Sequence, residues 1–212
     1  TIGRAIRRAK LPAAYSEGFN PHLKFSLASA LGVGVVSYTE FVEIELAEPM
    51  EVEKAALALD AALPRGIRVL AADAVDTHHA ALMSQAAGAS YRITLPYSKD
   101  VSAAVAEFNA APELLFKKAA PKTKDKFKEI DVKFYIPQLT AEQTETETIF
   151  SFDCKITPTG SMKAVDLLNA LNEQYGLALP VEMADIERLR LYRNNKNGKP
   201  IPMLNSDAVT LG

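Results

Sequence analysis

Apolar side chains at Ile2, Ala5, Ile6 and Ala9 repeat with the i, i+3, i+4, i+7 spacing of an amphipathic helix, and Arg4, Arg7 and Arg8 share its opposite face. Pro12 ends it, because the residue before a proline is pushed out of the helical region. A loop rich in Gly and Asn-Pro punctuation follows to Leu23, and then Lys24 to Leu31 reads as a short strand closed by Gly32 and Gly34. From Tyr38 to Leu46 the period is two: Val42, Ile44 and Leu46 alternate with Glu43 and Glu45. Glu51 to Leu63 returns to a helical period, with acids in its first turn and Pro64 and Gly66 beyond it. Ile67 to Ala71 is the next strand. A short helix is expected near His78 to Gln85.

The same order then recurs. Tyr91 to Leu95 is an alternating strand, Lys99 to Phe108 a helix, and Leu114 to Lys118 a strand. Ile130 to Ile136 and Thr148 to Ile156 alternate as strands, the latter placing Phe150, Phe152 and Cys154 on one face. A helix from Met162 to Tyr175, with Ser161 as its cap and Gly176 as its stop, precedes a last strand from Ile186 to Tyr192. The first half reads α-β-β-α-β and the second β-α-β-(β)-β-α-β. The opening on Thr1 leads us to expect an upstream strand, which makes each half βαββαβ. The predicted class is therefore α+β: two tandem ferredoxin-like domains with antiparallel sheets, at 1–76 and 90–212, joined by a linker at 77–89.

Composition narrows the field. Hydrophobic residues at 48% and charged residues at 24% fit a globular core and exclude disordered and collagen-like classes. No 18-residue apolar window exists, so no membrane partner is expected, and the lone Cys154 rules out an internal disulfide framework or a cysteine-cluster metal site. A cytoplasmic setting follows as an expectation. No cofactor is implied: P-loop, serine triad and radical-type cysteine cluster are all missing, and Gly32-x-Gly34 lacks the third glycine of a dinucleotide loop.

Net charge is only −2, yet the cations cluster. One group is Arg4, Arg7, Arg8, Lys10 and Lys24. A second runs along the basic loop 117–133, with Lys122 and Lys124 at its centre, and a third includes Arg188, Arg190 and Arg193. Arg188, Arg190 and Tyr192 alternate with Leu189 and Leu191, which places them together on an open sheet face. The loop Tyr15-Ser16-Glu17-Gly18-Phe19-Asn20-Pro21-His22 lies between a basic helix and a strand, where binding groups are commonly displayed. In it Tyr15 or Phe19 offers an aromatic face for a base, Asn20 shapes the turn, and the nearby cations suit phosphate. A well-packed loop with Phe19 anchored in the core is the plain structural alternative. His22 as general base, with Lys24 and Arg8 stabilising charge, is the catalytic alternative, a metal-free endoribonuclease.

The run RAIRRAKLPAAYSEGFNPHLKFSLASALGVGVVSYTEFVEIEL resembles the signature of a bacterial family of unknown function, the radical SAM-linked proteins. The pattern departs at Leu23 and at Gly32-Val33-Gly34, where that family usually has proline. The resemblance implies a radical SAM protein as partner, since such chains occur beside one or fused to it. It implies no reaction. The tandem outline is also similar, by fold alone, to CRISPR repeat-processing endoribonucleases. Together these readings predict a non-catalytic, RNA-engaging module for a structured RNA such as a tRNA, with a protein-binding adaptor as the further alternative.

Overall fold

The computed structural model describes residues 1–76, 78–120 and 125–211. In chain order they form α1 (Ile2–Arg8), β1 (Phe25–Leu27), β2 (Val35–Ser37), β3 (Val42–Ile44), α2 (Val52–Ala62), β4 (Ala71–Ala72), α3 (Leu82–Gln85), β5 (Gly88–Pro96), α4 (Ser102–Ala110), β6 (Leu115–Ala119) and β7 (Phe127–Asp131). Then come α5 (Val132–Tyr135), β8 (Leu139–Gln143), β9 (Glu147–Thr157), β10 (Gly160–Ser161), α6 (Ala164–Tyr175), a 3-10 turn at Val181–Met183, β11 (Asp185–Asn194), β12 (Pro200–Pro202) and β13 (Val209–Thr210). This is a mixed α/β architecture of several sheets. Two compact units result, neither continuous in sequence: one takes residues 1–29, 41–85 and 202 onward, the other 30–40 and 86–201.

In the first unit the periodicity of α1 turns Ala5 and Ile6 inward, where Ala13 and Leu59 complete a small buried cluster. Leu11, Leu23, Ile44, Leu63 and Val69 pack around it. β1 runs antiparallel to β3, pairing Phe25 with Ile44 and Leu27 with Val42, while β4 pairs with β13. A backbone bond from Ala14 N to the Glu45 carbonyl and another from Glu45 N to the Lys24 carbonyl knit residues 13–24 beside β3. The chain leaves α2 through a turn held by Asp60, whose carboxylate accepts from Arg68 Nε at 2.9 Å and from the Val69 amide at 2.8 Å. Those bonds hold the Asp60 carboxyl below its usual range, the Arg68 contact being the larger influence.

The four-stranded sheet expected for the first half is not assembled among the described residues; its strands pair as two-stranded ribbons. The predicted strand at Lys24 to Leu31 stops at Leu27, and that at Tyr38 to Leu46 keeps only Val42–Ile44. The reason is that residues 30–40 are drawn elsewhere. They belong to the second unit, where β2 lies parallel to β11 and pairs Val35 with Ile186 and Ser37 with Arg188.

The second unit is built on β5, β9 and β11. β5 runs antiparallel to both neighbours, pairing Tyr91 with Phe152 on one side and with Arg188 on the other. β8 adds antiparallel to β9, giving the order β8-β9-β5-β11. Alternation fixes the faces. Ala89, Tyr91, Ile93 and Leu95 of β5, Phe150, Phe152 and Cys154 of β9, and Ile186 and Leu191 of β11 are all buried. So are Val101, Ala104 and Phe108 around α4 and Leu167, Leu168 and Leu171 of α6. Paired Asn109 bonds to the backbone of Leu139 tie α4 to the edge strand β8.

Three local expectations change. Ile130 to Ile136 does not continue as one strand. Asp131 accepts from the Lys133 amide at 3.0 Å and from the Leu114 amide at 3.1 Å, and this N-cap starts the single helical turn α5. Capping therefore wins over alternation, and Phe134 turns outward while Val132 and Ile136 stay buried. Ser161, expected as the cap of α6, instead pairs with Ile156 in β10, and Lys163 takes the cap position. Finally, Arg188 is not displayed on an open face but buried, and Tyr192, which keeps the face of Arg190, is itself largely buried.

Candidate nucleic-acid interface

The helix α1 presents Arg4, Arg7 and Arg8 to solvent, as its apolar period requires. They are not equivalent. Arg8 donates from Nη2 to the Ala62 carbonyl at 2.6 Å and so satisfies an orphan acceptor at the C-terminus of α2. Arg4 and Arg7 make no ion pair or side-chain hydrogen bond among the described residues. The Gly3 position shows where this helix sits: a Cβ there would lie 3.4 Å from the Phe25 ring and 3.8 Å from the Leu23 side chain. The first turn of α1 therefore abuts the segment that leaves the Tyr15 to His22 loop.

That loop is pinched at its neck. The Ser16 amide donates to the His22 carbonyl at 2.8 Å, and the His22 amide donates to Ser16 Oγ at 2.9 Å. Tyr15 and Leu23 form an antiparallel bridge just below. Gly18, with φ +117°, takes a conformation that side chains oppose, and this lets five residues reverse direction above the neck. Phe19 stands at the apex at 108% relative exposure, so it is not anchored in the core. Asn20, Pro21 and His22 are exposed beside it, and Tyr15 is half exposed at the neck.

Lys24 faces solvent but pairs through Nζ with Glu45 Oε1 at 2.9 Å. The imidazole of His22 makes no hydrogen bond among the described residues. Of the three groups of the catalytic alternative, Lys24 is thus committed to Glu45 and Arg8 to Ala62, while His22 is held only through its backbone at the loop neck. Lys122 and Lys124 lie outside the described residues. Of their neighbours, Lys118 sits directly across the β6–β7 ladder from Lys128 and pairs with Asp166 at 2.9 Å.

Arg188 and Arg190 part company at a β-bulge. The register with β5 slips between them, so Arg188 opposes Tyr91 on the buried face and Arg190 opposes Ser90 on the other. Arg188 donates to both Glu40 oxygens at 3.0 and 3.1 Å, to the Tyr91 hydroxyl at 3.1 Å and to the Ala30 carbonyl at 2.8 Å. It is a structural tie for residues 30–40, not a free phosphate ligand. Burial is the main reason that the Tyr91 hydroxyl is pushed above its ordinary pKa.

The opposite sheet face carries Arg190, expected on an open face, together with groups that no motif announced. Arg190 donates from Nε to Ser90 Oγ at 2.7 Å and stacks over the Tyr192 ring, while Ser90 Oγ bonds Asp153. Alongside, the Tyr38 hydroxyl donates to Glu187 at 2.6 Å, and Arg92 donates to the other oxygen of that carboxylate at 2.7 Å. The Arg92 bond, then the Tyr38 bond, holds Glu187 below the usual carboxylate range. A shallow concavity of about 550 Å³ opens between Ser90, Thr140, Asp153, Lys155 and Tyr192. Strand alternation in β5 and β9 gave the signal for this face; the cross-strand pairings gave the networks.

No group of three or more His, Cys, Asp or Glu side chains suited to a metal occurs among the described residues, and no helix there is long and apolar enough to cross a membrane. No curated protein matches the chain. A family model does match, over residues 1–166, and its members are described as uncharacterized proteins conserved in bacteria. That span takes in α1, the pinched loop, the ribbon of β1 with β3, and the second unit as far as the start of α6; the chain belongs to this family, DUF2344.

Proposed function

We propose that this protein is a non-catalytic module that engages a structured RNA, such as a tRNA, and presents it to a radical SAM enzyme. The observation that carries the RNA part is the pairing of two cations without local carboxylate partners, Arg4 and Arg7, with the segment leaving a stiff, aromatic-tipped loop, against which Gly3 packs. Exposed cations of this kind attract phosphate, and loops held by a scaffold are where binding groups are placed. The strand order of the second unit, with a helix after β5 and another after β9, supports reading it as a ferredoxin-like outline. The second unit carries exposed cations of its own, Arg92, Arg190 and Lys155, of which Arg92 pairs with Glu187 and Arg190 lies near Asp153. The radical SAM partnership rests on the sequence resemblance alone.

The His22 imidazole is hydrogen-bonded to no second acid–base side chain among the described residues, which speaks against the endoribonuclease alternative. The test is ultraviolet crosslinking of the tagged full-length chain in bacterial cells, with crosslinked peptides mapped by mass spectrometry. Nucleotide adducts on the peptides containing Tyr15 to His22, with a radical SAM protein co-purifying, are expected. Recovery of the radical SAM protein without RNA would favour the adaptor reading, and recovery of neither would refute the proposal.

A further inference from the structure

We propose that the Ser16–His22 loop is a base-stacking finger for single-stranded RNA, with Phe19 as its stacking side chain. The inference rests on the RNA-engaging reading and narrows the substrate to RNA that offers an unstacked base: a hairpin loop, a bulge or a free end.

The apex geometry is the starting point. Phe19 is fully exposed although a phenyl ring is among the side chains that gain most from burial. Unlike a ring on a slack surface loop, it is held out by a rigid stem. The two Ser16–His22 bonds close the neck, the Tyr15–Leu23 bridge continues it downward, and Leu23 packs into the first unit's core cluster. Gly18 supplies the left-handed turn before the ring, and Pro21 fixes a backbone angle after it. A Cβ added at Gly18 would meet nothing within 4 Å, so the apex is open on that side as well. Ordering such a loop in advance removes conformational entropy that binding would otherwise have to overcome.

The surroundings select the ligand. Every base has an aromatic face, and RNA recognition commonly stacks splayed-out bases on Phe, Tyr or His side chains. Tyr15 and His22 at the neck offer two more flat surfaces below the apex. Arg4 and Arg7 lie on the helix that packs against Leu23 and Phe25, where they can meet backbone phosphates of the same strand. Glu17 is the loop's only acid. A continuous A-form duplex keeps its bases stacked inside and gives Phe19 nothing to stack on, so duplex binding has only the phosphate contacts to draw on.

The experiment compares a hairpin RNA carrying 2-aminopurine in its loop with a fully paired duplex of the same length, using the full chain and its Phe19→Ala, Phe19→Leu and Phe19→Trp variants. The wild type is expected to prefer the hairpin and to quench 2-aminopurine fluorescence. Phe19→Ala should weaken hairpin binding about ten- to a hundredfold. Phe19→Leu should lose nearly as much and Phe19→Trp should keep it, while duplex affinity and melting temperature stay constant across all four proteins. Hairpin binding that is indifferent to Phe19, or Phe19→Leu binding as tightly as wild type, would overturn the stacking inference and leave the RNA reading standing. No RNA binding by the wild type would overturn both.

Discussion

Replacing Arg188 with methionine removes a buried, fully hydrogen-bonded cation of the second unit. Its side chain is 3% exposed and makes four hydrogen bonds: two to Glu40 and one each to the Tyr91 hydroxyl and the Ala30 carbonyl. Methionine fills similar volume but bonds none of them. Removing one partner of a buried ion pair costs roughly 3–5 kcal/mol. The Glu40 side chain is 29% exposed and water can reach it, so about 2–4 kcal/mol is the better expectation here. For a chain of this size that lowers the melting temperature by about 5–15 °C. Urea unfolding followed by circular dichroism gives the free energy, and amide exchange locates it. Tyr38 N donates to the Arg188 carbonyl, so protection across residues 30–40 should fall before that of β5 and β9. Glu40→Ala should be at least as harmful, because it strands a buried guanidinium that cannot lose its proton. The pair Arg188→Met with Glu40→Ala should then be less damaging than the sum by about 1–3 kcal/mol. Strict additivity, or a loss below about 1 kcal/mol for Arg188→Met, would refute the idea that this buried pair anchors residues 30–40.

Three other outcomes follow from single sites. His79 bonds the Asp76 carbonyl through Nδ1 and the Glu43 carboxylate through Nε2 at 3.2 Å, and these partners, the Asp76 carbonyl first, raise its pKa above the ordinary 6.5. Its stabilising effect is therefore complete below pH 6.5 and disappears as pH rises through the higher folded value; His79→Gln should flatten the stability profile in that window, as measured by urea unfolding at stepped pH. Burial pushes the Cys154 thiol up to about 11, so it should resist thiol reagents at pH 8 in the folded chain and react only on unfolding, read by mass spectrometry. A Cβ at Gly88 would lie 2.3 Å from the Tyr192 hydroxyl oxygen and 2.5 Å from the adjoining ring carbon, so Gly88→Ala should destabilise by about 1–3 kcal/mol in the same unfolding assay.

The parts that were legible in the sequence are those whose signal is local and periodic. Ile2, Ala5, Ile6 and Ala9 marked α1, and the alternations of β5 and β9 marked the main sheet and its buried face. Arg188 shows where periodicity stops working. Alternation alone carried it outward with Arg190 and Tyr192, but the one-residue bulge at Leu189 reversed the phase and sent it inward. Its acidic partner, Glu40, lies 148 residues away, and no short-range pattern links them. The same distance hid the fate of residues 30–40, which read as part of the first half yet pair with β11. In the candidate interface the exposure of Arg4 and Arg7 followed from the helix period. The capping bond of Arg8, the Lys24–Glu45 pair and the outward Phe19 depended on contacts and loop closure that composition does not encode. β8 escaped notice because only Leu139 of its five residues is fully buried, as befits an edge strand beside a polar face.

The most direct test of RNA engagement through α1 is the salt dependence of affinity for a hairpin RNA, measured by fluorescence anisotropy from about 50 to 200 mM salt, for the wild type and for the double variant Arg4→Ala/Arg7→Ala. Each phosphate contact contributes about 0.7–0.9 to the slope of log affinity against log salt, so the variant's slope should be shallower by about 1.4–1.8. Its affinity at the lowest salt should fall at least tenfold, while its melting temperature stays within a degree or two, because both side chains are exposed and alanine favours the helix. Identical slopes for the two proteins would contradict the assignment of these arginines as phosphate ligands, and a wild-type affinity too weak to measure at low salt would contradict RNA engagement itself.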